Sequence, residues 1–219
     1  MEEFFTIVGP VDVKDPSSDI VIQGCVTRNL AHSPARVPHA SVLILPVRNG
    51  TRSVFVHQRS KKVRTSPGAL DTFGGHISFE MGLLTRSDAL HEASLTTAVR
   101  EAREEIFISV DGKPYLIQQK DFRQIGRVGQ FACSEPANVE YATAYVLFLP
   151  HNVQVGPSPF ELRDGSVDWL PVEEVLWDDL LVRYCENSGT FADGISRLMT
   201  QAMQSDDIAK MIDQGPVTA

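Results

Sequence analysis

The sequence is poor in cysteine and in positive charge. Three cysteines among 219 residues are odd in number and too widely spaced for a Cys-x-x-Cys pair. This argues against a disulfide framework or a cysteine zinc site and predicts reduced thiols in a cytoplasmic protein. Lysine and arginine number 20 against 28 aspartates and glutamates, which gives a net charge of −8. We therefore expect no nonspecific binding to nucleic-acid backbones or anionic membranes.

Long apolar runs are also missing. No stretch reaches the roughly 18 consecutive apolar residues of a membrane-spanning helix. The first residues lack the basic and apolar regions of a signal peptide. Hydrophobic residues nevertheless make up 42% of the chain and charged residues 22%, a composition typical of a globular protein with a sizeable core.

The order of apolar segments and turn signals predicts an α/β fold. Turns are expected at Arg48–Thr51 and at Asp111-Gly112. The predicted strands are 40–47, 53–59, 70–77, 106–110, 115–118, 141–149 and 167–170, and the predicted helices are 93–106, 172–186 and 191–212. This order favours a mixed sheet covered by helices. We expect a strand-and-loop segment over 1–37, a main domain over 38–186 and a C-terminal helical segment of the same domain over 187–219.

The most informative segment is Arg100–Glu105. Apolar residues around it recur with the period of a helix that has one face against a core. Glu101, Glu104 and Glu105 then lie together on that helix, where like charges repel one another. Oxygen ligands of this kind suit a hard cation such as Mg²⁺ or Mn²⁺, so the pattern predicts a metal site. The alternative is a solvated acidic face that the two neighbouring arginines partly neutralise.

The surroundings of this helix resemble a known signature. A double glycine precedes the helix, and a glutamate stands eight residues before Arg100. The set resembles the Nudix box, Gly-x5-Glu-x7-Arg-Glu-U-x-Glu-Glu-x-Gly-U, in which U is aliphatic. The matching residues are Glu92, Arg100, Glu101, Ala102, Glu104, Glu105 and Ile108.

The resemblance implies a fold and an activity. It implies a Nudix-type α/β/α sandwich with a mixed β-sheet. It also implies a pyrophosphohydrolase that cleaves the phosphoanhydride of a nucleoside-diphosphate-linked or related small molecule with Mg²⁺ or Mn²⁺. Nudix proteins often dimerise, so a homodimer is compatible with it.

The resemblance further implies roles for individual residues. Glu101, Glu104 and Glu105 are the implied metal ligands. Glu92 is implied to assist the metal site or its water, and Arg100 to orient the carboxylates. A further catalytic glutamate is expected downstream of the box, for which the candidates are Glu140 and, as a fallback, Glu135.

More distant segments resemble the isopentenyl-diphosphate isomerase-like branch of the superfamily over roughly residues 20 to 180. Among them are Arg28–His32, Gln58–Ser60 and Pro67–Asp71. True isomerases use a cysteine just before the Pro-Gly-like segment, where this chain has Val63–Ser66. Serine and threonine are much weaker acid–base groups at neutral pH, which favours hydrolysis. An isomerase and a catalytically silent ligand-binding module remain the alternatives.

Two positions depart from the Nudix box. Sixteen residues separate Gly75 from Glu92, eleven more than in the family, so residues 76–91 contain an insertion beside the expected site. Phe107 stands where the family has a glycine. A bulky residue adopts the left-handed conformation of such a helix end at a cost of about 1 kcal/mol or more. We therefore expect the helix to end differently here.

Further candidates lie outside the helix. The densest basic cluster comprises Arg59, Lys61, Lys62 and Arg64. We expect the substrate phosphates to be bound by Arg59, Lys62, Arg64, Gly74 and Gly75. The alternative is that the basic cluster is a solvated loop.

Three histidines and two aromatic residues are further candidates. His32, His39 and His76 lack the close spacing of a typical metal motif, so we interpret them as hydrogen-bonded structural histidines. Trp169 and Phe131 could stack on a base, although buried core positions are commoner for such residues.

Overall fold

The computed structural model describes residues 4–8, 22–31, 33, 37–63, 66–78, 87–133, 138–161 and 165–216. The strands are β1 (Phe4–Val8), β2 (Ile22–Thr27), β3 (His39–Arg48), β4 (Ser53–Gln58), β5 (Leu70–Asp71), β6 (Phe73–His76), β7 (Ile108–Val110), β8 (Lys113–Pro114), β9 (Phe122–Cys133), β10 (Asn138–Leu149), β11 (Val153–Val155), β12 (Ser158–Glu161), β13 (Val167–Leu170) and β14 (Val172–Leu176). The helices are α1 (Arg28–Ala31), α2 (Ser87–Glu105), α3 (Trp177–Glu186), α4 (Asp193–Gln204) and α5 (Asp207–Gln214).

Strand β3 organises a mixed sheet of nine strands. It pairs in parallel with β10 along its whole length and antiparallel with β1, β4 and β6. Strand β10 continues antiparallel to β9, and β4 continues to β14. The smaller sheets are β11-β7-β8 and the hairpin β12–β13. The parallel β3–β10 pair sets His39 directly beside Glu140.

The two faces of the sheet carry separate cores. Because successive side chains of a strand point to opposite faces, Leu43 and Leu45 pack with α3, α4 and α5, whereas Val42 and Ile44 pack with α2. Helices therefore cover both faces. The predicted α/β/α sandwich with a mixed sheet is confirmed.

Both predicted turns are confirmed. Gly50, Asp111 and Gly112 have φ values of 75°, 51° and 74°, the left-handed region that such turns require. Strand β8 is shorter and earlier than the predicted 115–118, because the Asp111-Gly112 turn pairs Val110 with Lys113. The long strand β9 was not predicted.

The predicted helix over 172–186 is wrong in its first part. Residues 172–176 form β14 and satisfy the backbone edge of β4, and α3 begins at Trp177. Two exposed β14 carboxylates are paired, Glu173 with Arg183 at 2.7 Å and Glu174 with Arg48 at 2.6 Å. The strand therefore gains both a ladder and ion pairs.

The predicted helix over 191–212 is two helices. Ser205 is extended, with φ −150° and ψ 139°, and it ends α4. Its hydroxyl accepts a hydrogen bond from the Asp207 amide at 3.2 Å, at the start of α5. The division of the chain into segments 1–37, 38–186 and 187–219 stays a prediction.

Helix α2 begins at Ser87, earlier than the predicted residue 93. Within the segment 76–91 that contains the insertion, residues 79–86 lie outside the described residues. Within the described part of the chain, no helix is both long and apolar enough to cross a bilayer.

Candidate metal and substrate site

The C-terminal end of α2 brings three glutamates to one edge of the sheet. Ala98 and Ala102 anchor the helix in the core, which turns the next residues toward strand β6. Glu104 is exposed and Glu101 is half-buried. Glu105 is partly exposed as a whole residue, but its carboxyl group is enclosed by protein.

The double glycine of β6 lets the carboxylates approach its backbone. The Gly74 amide donates to Glu105 Oε2 at 3.0 Å. A Cβ on Gly75 would lie 2.3 Å from Glu101 Oε1, so only glycine leaves room for that carboxylate. Gly74 has φ 145°, and a Cβ there would lie 2.1 Å from the Val42 carbonyl oxygen. Substrate binding by the two glycines stays a prediction; their contacts are with the glutamates and the neighbouring strand.

Arg100 holds two of the three carboxylates. Its guanidinium donates to Glu101 Oε1 at 2.6 Å and to Glu104 Oε2 at 3.0 Å. A longer bond of 3.4 Å reaches the His76 carbonyl oxygen on β6. This geometry is what an orienting residue requires.

Burial and neighbouring carboxylates raise the pKa of Glu105 and of Glu101 above the usual value of a glutamate. Burial raises the pKa of Glu105 to about 8, against a lowering effect of the Gly74 hydrogen bond and a further raising effect of Glu101. Burial also raises the pKa of Glu101, which Arg100 partly offsets. Oxygen donors crowded in this way fit a hard divalent cation, whose charge would compensate theirs.

The helix end differs from the left-handed glycine ending of the Nudix box, as expected from Phe107. Phe107 is 62% exposed, and among the described residues only Ser66 and Asp111 have positive φ without being glycine. Instead, the Ser158 hydroxyl donates to the Glu105 carbonyl oxygen at 2.6 Å. The Gly156 amide donates to the Phe107 carbonyl oxygen at 2.8 Å.

A second group of side chains that carry metal-ligand atoms lies beside the glutamates. His39, His76 and Glu140 each offer one ligand atom, and these atoms all lie within 4.8 Å of one another. His76 Nε2 lies 3.1 Å from Glu140 Oε1, and His39 Nδ1 lies 2.8 Å from the Val37 carbonyl oxygen. Both histidines are hydrogen-bonded, as predicted, yet imidazole and carboxylate donors together also suit a divalent metal. Sequence spacing alone did not indicate this grouping.

The basic cluster is only partly brought to this edge. Arg59 forms an ion pair of 2.6 Å with the buried Asp71. Both groups act electrostatically on the Glu105 carboxyl group, so they lie near it. Lys62 is exposed, and its ammonium lies 3.8 Å from Asp168. Asp71 was not predicted as part of the site.

Several candidates cannot be placed. Residues His32, Arg64 and Glu135 lie outside the described residues, as do the side chains of Glu92 and Phe131. Trp169 is 60% exposed on β13, so its interpretation as a buried core residue is wrong.

The comparison with protein families decides the relationship. The model of the NUDIX domain matches residues 37–185. The chain belongs to the NUDIX domain family. That match does not distinguish the isopentenyl-diphosphate isomerase-like branch from other Nudix proteins, so the branch stays a prediction.

Solved Nudix structures are distant in sequence. A NUDIX hydrolase from Alicyclobacillus acidocaldarius is 15% identical, with 82% of this chain and 97% of that chain covered and a TM-score of 0.49. The MutT protein from Methanosarcina mazei Go1 is 15% identical, with 77% and 95% covered and a TM-score of 0.46. The NUDIX domain of Shewanella oneidensis NrtR, solved with ADP ribose, is 15% identical, with 75% and 86% covered and a TM-score of 0.43. No curated protein matches the sequence.

Proposed function

We propose that this Nudix protein is a divalent-metal-dependent hydrolase. Its substrate is a small molecule linked to a nucleoside diphosphate or a related diphosphate, and the bond cleaved is the phosphoanhydride. One observation carries the proposal: three carboxylates converge at the end of α2, two of them held by Arg100 and the third by the Gly74 amide.

The glutamates fit Mg²⁺ or Mn²⁺. Glu101, Glu104 and Glu105 offer oxygen donors from adjacent turns of one helix, and Arg100 limits the rotation of two of them. When bound, the cation neutralises charge on the diphosphate and increases the acidity of the attacking water.

The remaining steps are assigned to side chains of the chain itself. Arg59, whose guanidinium donates to Asp71, is assigned the binding of a phosphate oxygen. A water oxygen attacks one phosphorus, the phosphoanhydride P–O bond breaks, and the other phosphate leaves. A carboxylate accepts the proton of the water, for which Glu92, Glu105 and Glu140 are the candidates.

The histidine group offers a second position for a cation. His39 and His76 supply nitrogen donors, which favour transition metals such as Mn²⁺ over Mg²⁺. The glutamates on α2 and the histidine group therefore predict different metal preferences. Activity with Mg²⁺ and with Mn²⁺, measured in variants of each group, distinguishes the two positions.

The test is a hydrolysis assay with matched variants. The protein is incubated with nucleoside-diphosphate-linked compounds and Mg²⁺ or Mn²⁺, and phosphate is measured after a phosphatase is added. We expect Glu104→Gln and Glu105→Gln each to abolish turnover while the circular dichroism spectrum is unchanged. Glu174→Gln, which alters the remote Arg48 pair, is the control and should keep wild-type turnover.

Three outcomes would contradict the proposal or its metal site. Full turnover in both Glu104→Gln and Glu105→Gln would exclude these glutamates as essential ligands. Metal-dependent thermal stabilisation by a compound, without any phosphate release, would indicate a binding module. Loss of Mn²⁺-dependent activity only in His76→Gln would move the essential ion to the histidine group.

A further inference from the structure

The hairpin β12–β13 contacts the end of α2 through Ser158 and the basic segment through Asp168. We propose that Ser158 on this hairpin is the positioning residue that fixes Glu105 for metal binding, in place of the missing glycine ending. The inference rests on the proposed function, because it assumes that Glu105 binds a cation.

The contact of Ser158 with the helix is direct and buried. Ser158 is 1% exposed, and its hydroxyl donates to the Glu105 carbonyl oxygen at 2.6 Å. The last carbonyl groups of a helix have no donors within the helix, so their partners decide where the helix ends. Gly156, two residues earlier, donates to the carbonyl of Phe107. The chain leading into β12 therefore supplies donors for two carbonyls that have none within the helix.

Glu105 is consequently held from two sides. Its carboxylate accepts from the Gly74 amide on β6 at 3.0 Å, and its carbonyl accepts from Ser158 on β12. Removing the second bond takes away the support that β12 gives to the Glu105 backbone and leaves the bond of its carboxylate to Gly74. Metal ligands must be held within about 0.5 Å of the productive geometry. Loss of partners behind such ligands typically costs about 10- to 100-fold in metal affinity or activity.

The other strand of the hairpin contacts the basic segment instead. Asp168 on β13 accepts from the Ser60 hydroxyl at 2.8 Å and lies 3.8 Å from the Lys62 ammonium. The Ser60 hydroxyl in turn accepts from the Lys62 amide at 3.1 Å. One hairpin thus reaches the glutamates through Ser158 and the predicted phosphate-binding segment through Asp168. Changes on the two strands should affect different steps.

The experiment compares substitutions on the two strands. Mn²⁺ affinity is measured by electron paramagnetic resonance, and kcat and KM are measured for the best diphosphate substrate. We expect Ser158→Ala to weaken Mn²⁺ binding about tenfold and to lower kcat. Ser158→Thr keeps the hydroxyl and should restore both. Asp168→Ala should raise KM while Mn²⁺ affinity stays at the wild-type value.

A remote variant controls for the loss of a hydroxyl. Thr51→Ala also removes a hydroxyl-to-carbonyl bond, from Thr51 to Arg48 at 3.0 Å in the β3–β4 turn, and should change neither quantity. If Ser158→Ala does not fold, Ser158→Cys replaces it, because a thiol has nearly the same shape and is a much weaker donor. It should then weaken Mn²⁺ binding in the same direction.

Three results would overturn the inference, and they point to different errors. Wild-type Mn²⁺ affinity and kcat in the alanine or cysteine variant would show that Ser158 does not position Glu105. Equal weakening of Mn²⁺ binding by Asp168→Ala would assign the effect to general loosening of the hairpin. A wild-type protein that neither binds Mn²⁺ nor hydrolyses any diphosphate would contradict the proposed function, and this inference with it.

Discussion

Replacing Glu105 by glutamine should weaken metal binding and increase the stability of the metal-free protein at high pH. In the metal-free protein the Glu105 carboxyl group is enclosed by protein. Burial raises its pKa from 4.5 to about 8. A folded-state pKa above the unfolded value means that the folded protein binds the proton more tightly. The stabilisation that this bound proton gives the folded protein is complete below pH 4.5 and is lost as the pH rises through 8. Glutamine stays neutral and can still accept from the Gly74 amide, so it avoids this loss.

The size of the effect follows from the same pKa. At about 1.4 kcal/mol for each pKa unit, the raised pKa of Glu105 corresponds to a loss of roughly 5 kcal/mol in the free energy of unfolding at pH 9. We therefore expect Glu105→Gln and wild type to unfold with similar free energies near pH 5 in EDTA. Near pH 9, the variant should be more stable by a few kcal/mol.

Urea unfolding followed by tryptophan fluorescence measures this difference. Trp177 is 1% exposed and reports loss of the core, whereas Trp169 is already exposed in the folded protein. Saturating Mg²⁺ should then stabilise wild type by about 2.7 kcal/mol at 100 times its Kd but leave Glu105→Gln unchanged. Glu104→Gln, at an exposed position, is the matched control and should show no comparable pH-dependent gain. Parallel stability curves for wild type and Glu105→Gln between pH 5 and 9 would refute the reasoning.

Three further substitutions test the surroundings of the site. Gly75→Ala places a Cβ 2.3 Å from Glu101 Oε1, so Mn²⁺ titration should show weaker binding while circular dichroism shows an intact fold. Gly74→Ala instead meets the Val42 carbonyl oxygen at 2.1 Å with φ at 145°, and urea unfolding should show a loss of roughly 3 kcal/mol or more. Burial lowers the pKa of His57 below its usual 6.5, so stability that is complete above pH 6.5 should fall as the pH drops below it. His57→Gln should reduce that dependence in urea unfolding between pH 5 and 7, and an unchanged slope would contradict the assignment.

Local spacing predicted the parts of the molecule that depend on neighbours in the sequence. The glutamates of α2 share one helix edge because residues three and four positions apart always do. Strand β3 was predicted from its run of apolar and β-branched residues, and the turn at Asp111-Gly112 from its need for positive φ. The unusual helix end followed from Phe107 for the same conformational reason.

Pairings between distant segments were not predictable in this way. Residues 172–176 fit a helix or a strand equally well, and the open edge of β4 decided for β14. Glu140 was proposed from the resemblance alone, whereas its position beside His76 depends on the parallel pairing of β3 with β10. Ser158 gave no sequence signal, because a serine in a short strand is compatible with many environments. Its contact with α2 exists only in the folded protein.

The parallel pairing of β3 with β10 also has a consequence for biosynthesis. A growing chain exposes β3, β6 and all of α2 well before β10 has been synthesised, because β10 follows α2 in the sequence. Parallel strands separated by so much chain close a large loop, which makes their formation slow relative to local helices. Helix α2 is therefore synthesised before the sheet beside it is complete, and it stays in that state until β10 pairs with β3. Premature truncation before β10 should leave a product that proteases and chaperones recognise by its uncovered central strand.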